Sequence, residues 1–417
     1  MQLKRVVVTG IGTINPLGNN IPEYFDNLDN GTSGASLITR FDASLFKTKF
    51  ACEIKDFDPE KFGIDKKEAR KLDLFAQYAL AATAEAIKDA GIDPEKIDLD
   101  RAGVIVGSGI GGIETMFQEI KGYFEGGCTP RFSPFLIPKM IPDIAAGHIS
   151  MKYGFRGPNF TTVSACASST NAMTDALNYI RLGKADVIVT GGSEAGISVP
   201  SIGGFNSAQA LSTNNDNYKT ASRPFDKTRD GFVMGEGAAT LIFEEYEHAV
   251  ARGAKIYAEV SGAGLSADAH HITAPHPEGF GATQVMKLAL QDAGLKPDSV
   301  DYINVHGTST PLGDIAELKA VKEIFGEHAY KLNISSTKSM TGHLLGATGA
   351  VEALACIHAI NSGIVPPTIN FEHEDPEIDY NLNLTLNKAQ KREVNVAMNN
   401  TFGFGGHNSC IIFSKVK

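Results

Sequence analysis

The chain has 417 residues, 42% of them hydrophobic and 21% charged, with a formal net charge of −10. This is the composition of an ordinary globular protein long enough for two or three domain-sized units. The acidic balance argues against nucleic acid as the main partner, because gripping a phosphate backbone takes concentrated Lys and Arg. No apolar stretch approaches the ~20 residues that span a bilayer, so no membrane insertion is expected.

Five cysteines, Cys52, Cys128, Cys166, Cys356 and Cys410, stand far apart with no C-x-x-C pair, which argues against a disulfide framework and a zinc site. The segment Met1 to Arg5 runs straight into Val6-Val7-Val8 without the layout of a signal peptide, so a cytoplasmic address is expected. The first strand is expected over 5–9. Asp65-Lys-Lys-Glu-Ala-Arg-Lys71 then gathers bases on a short helical run, which by pattern alone is a solvated face. A helix over 75–90 leads through a glycine and a proline turn to a strand over 102–107. The glycines of Gly107-Ser-Gly-Ile-Gly-Gly112 match a dinucleotide fingerprint only loosely. No acidic ribose-binding position follows them, and nucleotide binding is rejected.

Residues 159–163 read as extended, and 167–180 have the small residues and apolar spacing of a helix. This predicts Cys166, in Val163-Ser-Ala-Cys-Ala-Ser-Ser169, in the helix's first turn. Unpaired N–H groups and the helix dipole favour a thiolate there. A lone cysteine is as readily a small buried residue; its company decides. A strand over 186–190 and the glycines of 231–237 follow. The segment 246–255 is the best boundary between two halves, 1–252 and 253–417.

The second half begins with a strand over 256–262 and a helix over 283–293. A buried strand over 300–305 ends at His306-Gly-Thr-Ser-Thr310, and a helix starts at Asp314. Another strand, 332–336, ends at Lys338-Ser-Met-Thr-Gly-His343, before a helix that Gly349-Ala350 should begin. Strands over 394–399 and 410–414 flank the glycine turn Phe402-Gly-Phe-Gly-Gly406, whose N–H groups suit an oxyanion site opposite Cys166. Such alternation predicts α/β architecture with mainly parallel sheets. Residues 86–97 align without gaps on 289–300, so the chain reads as a duplicated unit with its site at the carboxyl ends of equivalent strands. His306 and His343 sit at two such ends. Lys338 and Glu352, nearby, make either a buried charge pair or a surface salt bridge. Asp314-Ile-Ala-Glu317 reads as a helix cap, and His270, His271, His276 and His358 as ordinary residues.

Cys166 in VSACASS, His306 in HGTSTPLGD, Lys338 and His343 in KSMTGHLLGATG, and FGFGG over 402–406 together resemble the β-ketoacyl-acyl carrier protein synthases, closest to the type II members, over essentially the whole chain. The resemblance implies an α/β, thiolase-like fold with a duplicated five-layered α-β-α-β-α arrangement, and a homodimer. It implies a decarboxylative Claisen condensation that elongates fatty acids, malonyl-carrier being condensed with an acyl chain held on Cys166. Cys166, His306, His343, Lys338, Glu352 and Phe404 are then catalytic. Thr308, Thr310 and Thr273 line the path of the phosphopantetheine arm, and Ile110, Phe205 and Phe402 contact substrate. Lys67, Arg70 and Lys71 fall where the family docks its acyl carrier protein. No cofactor or metal of the chain's own is implied, since the phosphopantetheine arm arrives on the carrier. His407 departs from the family, where Thr is common after FGFGG. Three rivals remain: a thiolase, which needs a second cysteine as base; a polyketide-type ketosynthase; and a non-catalytic chain-length partner, which lacks the nucleophile.

Overall fold

The computed structural model describes residues 3–416. Met1 and Gln2, the start of the segment read for a targeting signal, lie outside them. The first half supplies strands Val6–Ile14 (β1), Ala102–Gly107 (β2), Asn159–Thr162 (β3), Val187–Glu194 (β4) and Gly237–Glu245 (β5). The second supplies Ala258–Ala267 (β6), Tyr302–Asn304 (β7), Asn333–Ser335 (β8), Val396–Gly403 (β9) and His407–Ser414 (β10). They form one sheet in the order β8-β7-β9-β10-β6-β1-β5-β4-β2-β3. Outward from the β6–β1 junction, each half runs through its first, fifth, fourth, second and third strands. The junction is slight: Val7 and Val8 stand opposite Glu259 and Ala258.

Only the outer three strands of each half are parallel. The inner pairings, β1 with β5 and β6, β4 with β5, β9 with β10 and β10 with β6, are antiparallel. The expected "mainly parallel" sheet is therefore mixed. The turn between β9 and β10 is too short for a crossover, and a parallel connection needs a dozen or more residues.

Helices Leu74–Ala90 (α1), Ser168–Arg181 (α2), Phe280–Ala293 (α3), Pro311–Phe325 (α4) and Thr348–Ser362 (α5) complete the layers. The five-layered arrangement expected from the sequence is present. α1 covers one side of the first half, and α3, with α4 beside it, covers the second. α2 and α5 pack on each other and between strands of both halves, inside an apolar cluster that runs from Ile105 and Met173 to Leu354 and Ile411. The repeated sequence signature maps onto α1 and α3, which both end at a left-handed glycine, Gly91 and Gly294. The strand under each carries a Gly-x-Gly. A Cβ on Gly10 or Gly12 would lie 2.3 or 2.1 Å from the Ala86 and Ala82 carbonyl oxygens of α1, and one on Gly262 or Gly264 would lie 2.5 Å from α3 backbone atoms. Without a side chain there, helix and strand close to backbone contact.

The connection between halves is partly helical, over Tyr246–Ala251. The edge strand β3 has no partner on its outer side. Elsewhere helix Ile113–Glu125 buries no residue, and Met116, Ile120, Phe124, Phe132, Phe135 and Ile137 are exposed. No helix among the described residues is long and apolar enough to cross a membrane.

Candidate active site

Cys166 does not lie in the first turn of α2. It precedes the cap, since α2 begins at Ser168 with Ala167 as its N-cap. Ala165, just before it, holds a left-handed φ of +51°. This bend turns the chain from β3 into α2 and leaves the sulfur on a cavity of about 600 Å³. Two other loops on that cavity repeat the device with Ser309 at φ +67° and Leu345 at φ +49°. Such conformations cost about 1–3 kcal/mol each in non-glycine residues and collect at functional sites.

His343 reaches the same point from the second half, its Nε2 3.0 Å from Cys166 Sγ. Its backbone N–H donates to Val233 O at 2.7 Å and its carbonyl accepts from Gly235 N at 2.9 Å, so the glycine stretch after Gly231 serves to dock this loop. His306 lines the cavity from the end of β7; its ring centroid is 5.3 Å from that of His343, the planes nearly perpendicular. Burial, the Lys338 charge and the neighbouring imidazole hold His306 well below the ordinary pKa, and burial and Lys338 do the same to His343. Both rings are neutral near pH 7. The Nδ1 atom of each is buried without a partner. A proton on Nε2 leaves a bare lone pair at Nδ1 in place of a stranded N–H, and gives His343 a donor toward the sulfur.

Burial pushes the Cys166 thiol up to about 12, against the pull of the Lys338 charge and of the backbone N–H groups of Phe404 and Cys166 itself. The expectation of a thiolate set by the helix dipole is therefore corrected: desolvation of the buried sulfur outweighs it. The Phe404 N–H is brought to the sulfur by the turn between β9 and β10. Gly403 lets that turn close in, since a Cβ there would lie 2.8 Å from Ser164 O.

Lys338 and Glu352 form a buried ion pair, each 1% exposed. Burial raises Glu352 to about 7 despite the attraction of Lys338. Removing one partner of such a pair typically costs about 3–5 kcal/mol, whereas replacing both is far milder. The double variant Lys338→Met/Glu352→Gln should therefore fold. With the Lys338 charge gone both imidazoles move up toward ~6.5, so the acid limb of the pH–rate profile should shift to higher pH. An unmoved limb would show that Lys338 does not set the histidine charge state.

Thr308 and Thr310 line the cavity, their hydroxyls 3.0 Å apart, and Thr273 lies on the same wall. Ile110, Phe205 and Phe402 also reach it. Phe205 meets Phe404 at 6.1 Å between ring centroids, and Phe402 meets His306 at 5.6 Å. Lys67, Arg70 and Lys71 are exposed on and after a single helical turn, Lys66–Ala69, away from the cavity lining. His407 opens β10, exposed, with its ring folded over Gly405.

Asp314 and Glu317 are not a helix cap. The cap of α4 is Thr310, with no side-chain bond. The Asp314 carboxylate accepts from Ser309 N and Phe225 N and faces Arg229. Glu317, buried and raised by desolvation to about 7, accepts the N–H groups of His306 and Gly307 at 2.8 Å each. It holds the His306 turn, a role its spacing in the sequence did not signal. Phe232 likewise went unread; it sits edge-on to His343 at 5.1 Å. No cluster of three or more His, Cys, Asp or Glu side chains among the described residues is placed to hold a metal ion.

Residues 3–249 match the family model described as Beta-ketoacyl synthase, N-terminal domain, and residues 257–372 match Beta-ketoacyl synthase, C-terminal domain. The chain is 49% identical over 414 residues to 3-oxoacyl-[acyl-carrier-protein] synthase 2 of Staphylococcus aureus (strain COL), covering 99% of both. It is 49% identical over 415 residues to the protein of that name from Synechocystis sp., covering 100% of this chain and 99% of the relative. A crystal structure of a Beta-ketoacyl synthase from Burkholderia phymatum STM815 superposes with a TM-score of 0.91 at 35% identity, over 99% of this chain and 100% of the other. The ishigamide ketosynthase/chain length factor superposes with a TM-score of 0.93 at 34% identity, over the whole of both chains. With both domain models matched in order and relatives aligned end to end, the chain belongs to the β-ketoacyl synthase family.

Proposed function

We propose that this chain is a condensing acyltransferase of type II fatty acid elongation, with Cys166 as the residue that carries the growing chain. The observation that supports it most is the Cys166 sulfur itself, 3.0 Å from His343 Nε2, with the Phe404 and Cys166 N–H groups against it. In the first stage Sγ attacks the acyl thioester of an acyl carrier protein. The two N–H groups hold the tetrahedral oxyanion, and the thiol proton leaves with the released phosphopantetheine sulfur. In the second stage a malonyl thioester loses carbon dioxide, and the freed electron pair moves onto its thioester oxygen as an enolate. Neutral His306 and His343 donate Nε2–H bonds to that oxygen, which disperses the charge without a metal. The enolate carbon attacks the acyl-cysteine, and collapse of the oxyanion breaks the C–S bond and expels Sγ as a thiolate, which takes a proton from water to restore the thiol. Thr308 and Thr310 hold the phosphopantetheine arm, Thr273 flanks it, and Ile110, Phe205 and Phe402 wall the acyl chain. A thiolase is disfavoured because none of the other four cysteines lines the cavity.

Incubation with acyl-carriers of varied length plus malonyl-carrier, followed by mass analysis, tests this. An acyl adduct on Cys166 and a product two carbons longer are expected; the absence of any adduct would refute it.

The acidic carrier docks on Lys67, Arg70 and Lys71, local positive charge on an acidic enzyme. Lys71 lies over the Phe135 ring at 5.6 Å, and Lys139 Nζ is 3.5 Å from the Arg70 carbonyl, so the patch continues past the short helix. Arg70→Glu with Lys71→Glu should raise the carrier KM roughly tenfold at low salt, and less as salt screens the contact. An unchanged KM would place docking elsewhere.

The two halves, 1–252 and 253–417, act as one unit in a homodimer placed in the cytoplasm. The open edge of β3 and the exposed apolar residues of 113–140 are what a two-fold contact would cover. A monomeric mass in solution would refute it.

A further inference from the structure

The glycine loop after β2 has the look of an anion cradle, and the structure supplies its anion from within. β2 and β4 run parallel with Gly107 opposite Gly192, so the register brings Glu194, the last residue of β4, level with the loop that leaves β2. Glu194 is fully buried. Its Oε2 accepts from Gly109 N at 2.7 Å and Gly346 N at 2.9 Å. Its Oε1 accepts from Ile110 N at 3.1 Å, Gly111 N at 3.3 Å and the Ser108 hydroxyl at 3.3 Å. One carboxylate thus ties the loop bearing Ile110 to the loop that follows His343. The fit leaves no slack: a Cβ on Gly109 or Gly346 would lie 2.8 or 2.6 Å from Glu194 Oε2. The arrangement parallels Glu317 in the other half, which holds the turn after β7.

We infer that Glu194 is a specificity-determining positioning residue: by fixing the Gly109–Gly111 backbone it holds the Ile110 side chain in the wall of the acyl cavity and so sets which chain lengths Cys166 accepts. Ile110 packs with Phe205 against Leu345 and Phe232, so its place decides how the cavity is shaped beside the sulfur. A long chain depends on that wall along its length, whereas an acetyl group ends before it. The inference rests on the proposed reading of Cys166 as the acyl carrier.

Glu194→Gln keeps the shape but turns an NH₂ toward N–H donors, freeing part of the loop. The readout is the ratio of Cys166 acylation rates for a long-chain acyl-carrier and an acetyl-carrier, followed by mass. A general lesion lowers both rates and leaves the ratio. The ratio is expected to fall roughly tenfold, the scale of a misplaced apolar contact in a specificity pocket. In an Ile110→Ala background the same substitution should leave the ratio where Ile110→Ala alone put it. An unchanged ratio in Glu194→Gln, or effects that multiply in the double variant, overturns the inference. Should Glu194→Gln not fold, Ser108→Ala removes one donor on the same carboxylate and should shift the ratio in the same direction by less; no shift overturns it equally. A native enzyme that takes no acyl group at all brings down the functional reading, and this inference with it.

Discussion

Cys166→Ala is expected to lower condensation by a factor on the order of 10⁶, the scale seen when a covalent nucleophile is deleted from a site that otherwise stays intact. No other thiol replaces it: Cys52, Cys356 and Cys410 are buried, and Cys128 is exposed in a distant turn. Malonyl decarboxylation should persist in the same variant, because the groups assigned to the enolate, His306 and His343, do not depend on the sulfur for their placement. His343 is held by backbone bonds to Val233 and Gly235, and His306 by Glu317. Carbon dioxide release from malonyl-carrier and intact-protein mass measure the two stages separately. An acyl adduct on Cys166→Ala, or full condensation by it, would remove the sulfur from the mechanism.

His343→Ala should have the second largest effect and the opposite profile. Loss of one preorganised donor to a developing oxyanion typically costs about 10²–10³ in rate, and the penalty should fall on decarboxylation and condensation. Acyl transfer should continue, since its oxyanion is assigned to the Phe404 and Cys166 N–H groups, which belong to other loops. His343→Asn retains an N–H donor nearby and should recover part of the loss. Condensation at the native rate in His343→Ala would dismiss the enolate role. The native acid limb should lie below the ordinary histidine pKa of ~6.5: both rings titrate low, so they lose their neutral form only as the pH falls well past that value.

The parts of this site carried by short, contiguous signals were legible in the sequence. The turn from β3 to α2 announces itself by an extended run, small residues and then helical spacing, and Cys166 stands at the change. His306 and His343 were visible because each ends an apolar run beside glycine. The duplication was legible in α1 and α3, whose cap glycines fall at matching positions. Glu194 and Glu317 were not legible, because their partners are backbone N–H groups brought close by strand register, and no side-chain pattern encodes them. Asp314-Ile-Ala-Glu317 was misread for a related reason: its spacing fits a local cap, but tertiary bonds to Ser309, Phe225 and His306 take both carboxylates elsewhere. The charge state of Cys166 was misjudged because dipole and N–H contributions can be inferred locally, whereas desolvation depends on distant walls such as Phe232.

β10 lies inside the sheet, hydrogen-bonded to β9 on one side and β6 on the other, and β1 waits for β5 and β6, more than two hundred positions downstream. Synthesis proceeds at about 5–20 residues per second, so the nascent chain carries unpaired strand edges, and no Phe404 turn over Cys166, until the β9–β10 segment has been made. The Cys166 sulfur thus stays without the Phe404 N–H until the β9–β10 turn has been made, more than two hundred residues after Cys166 itself.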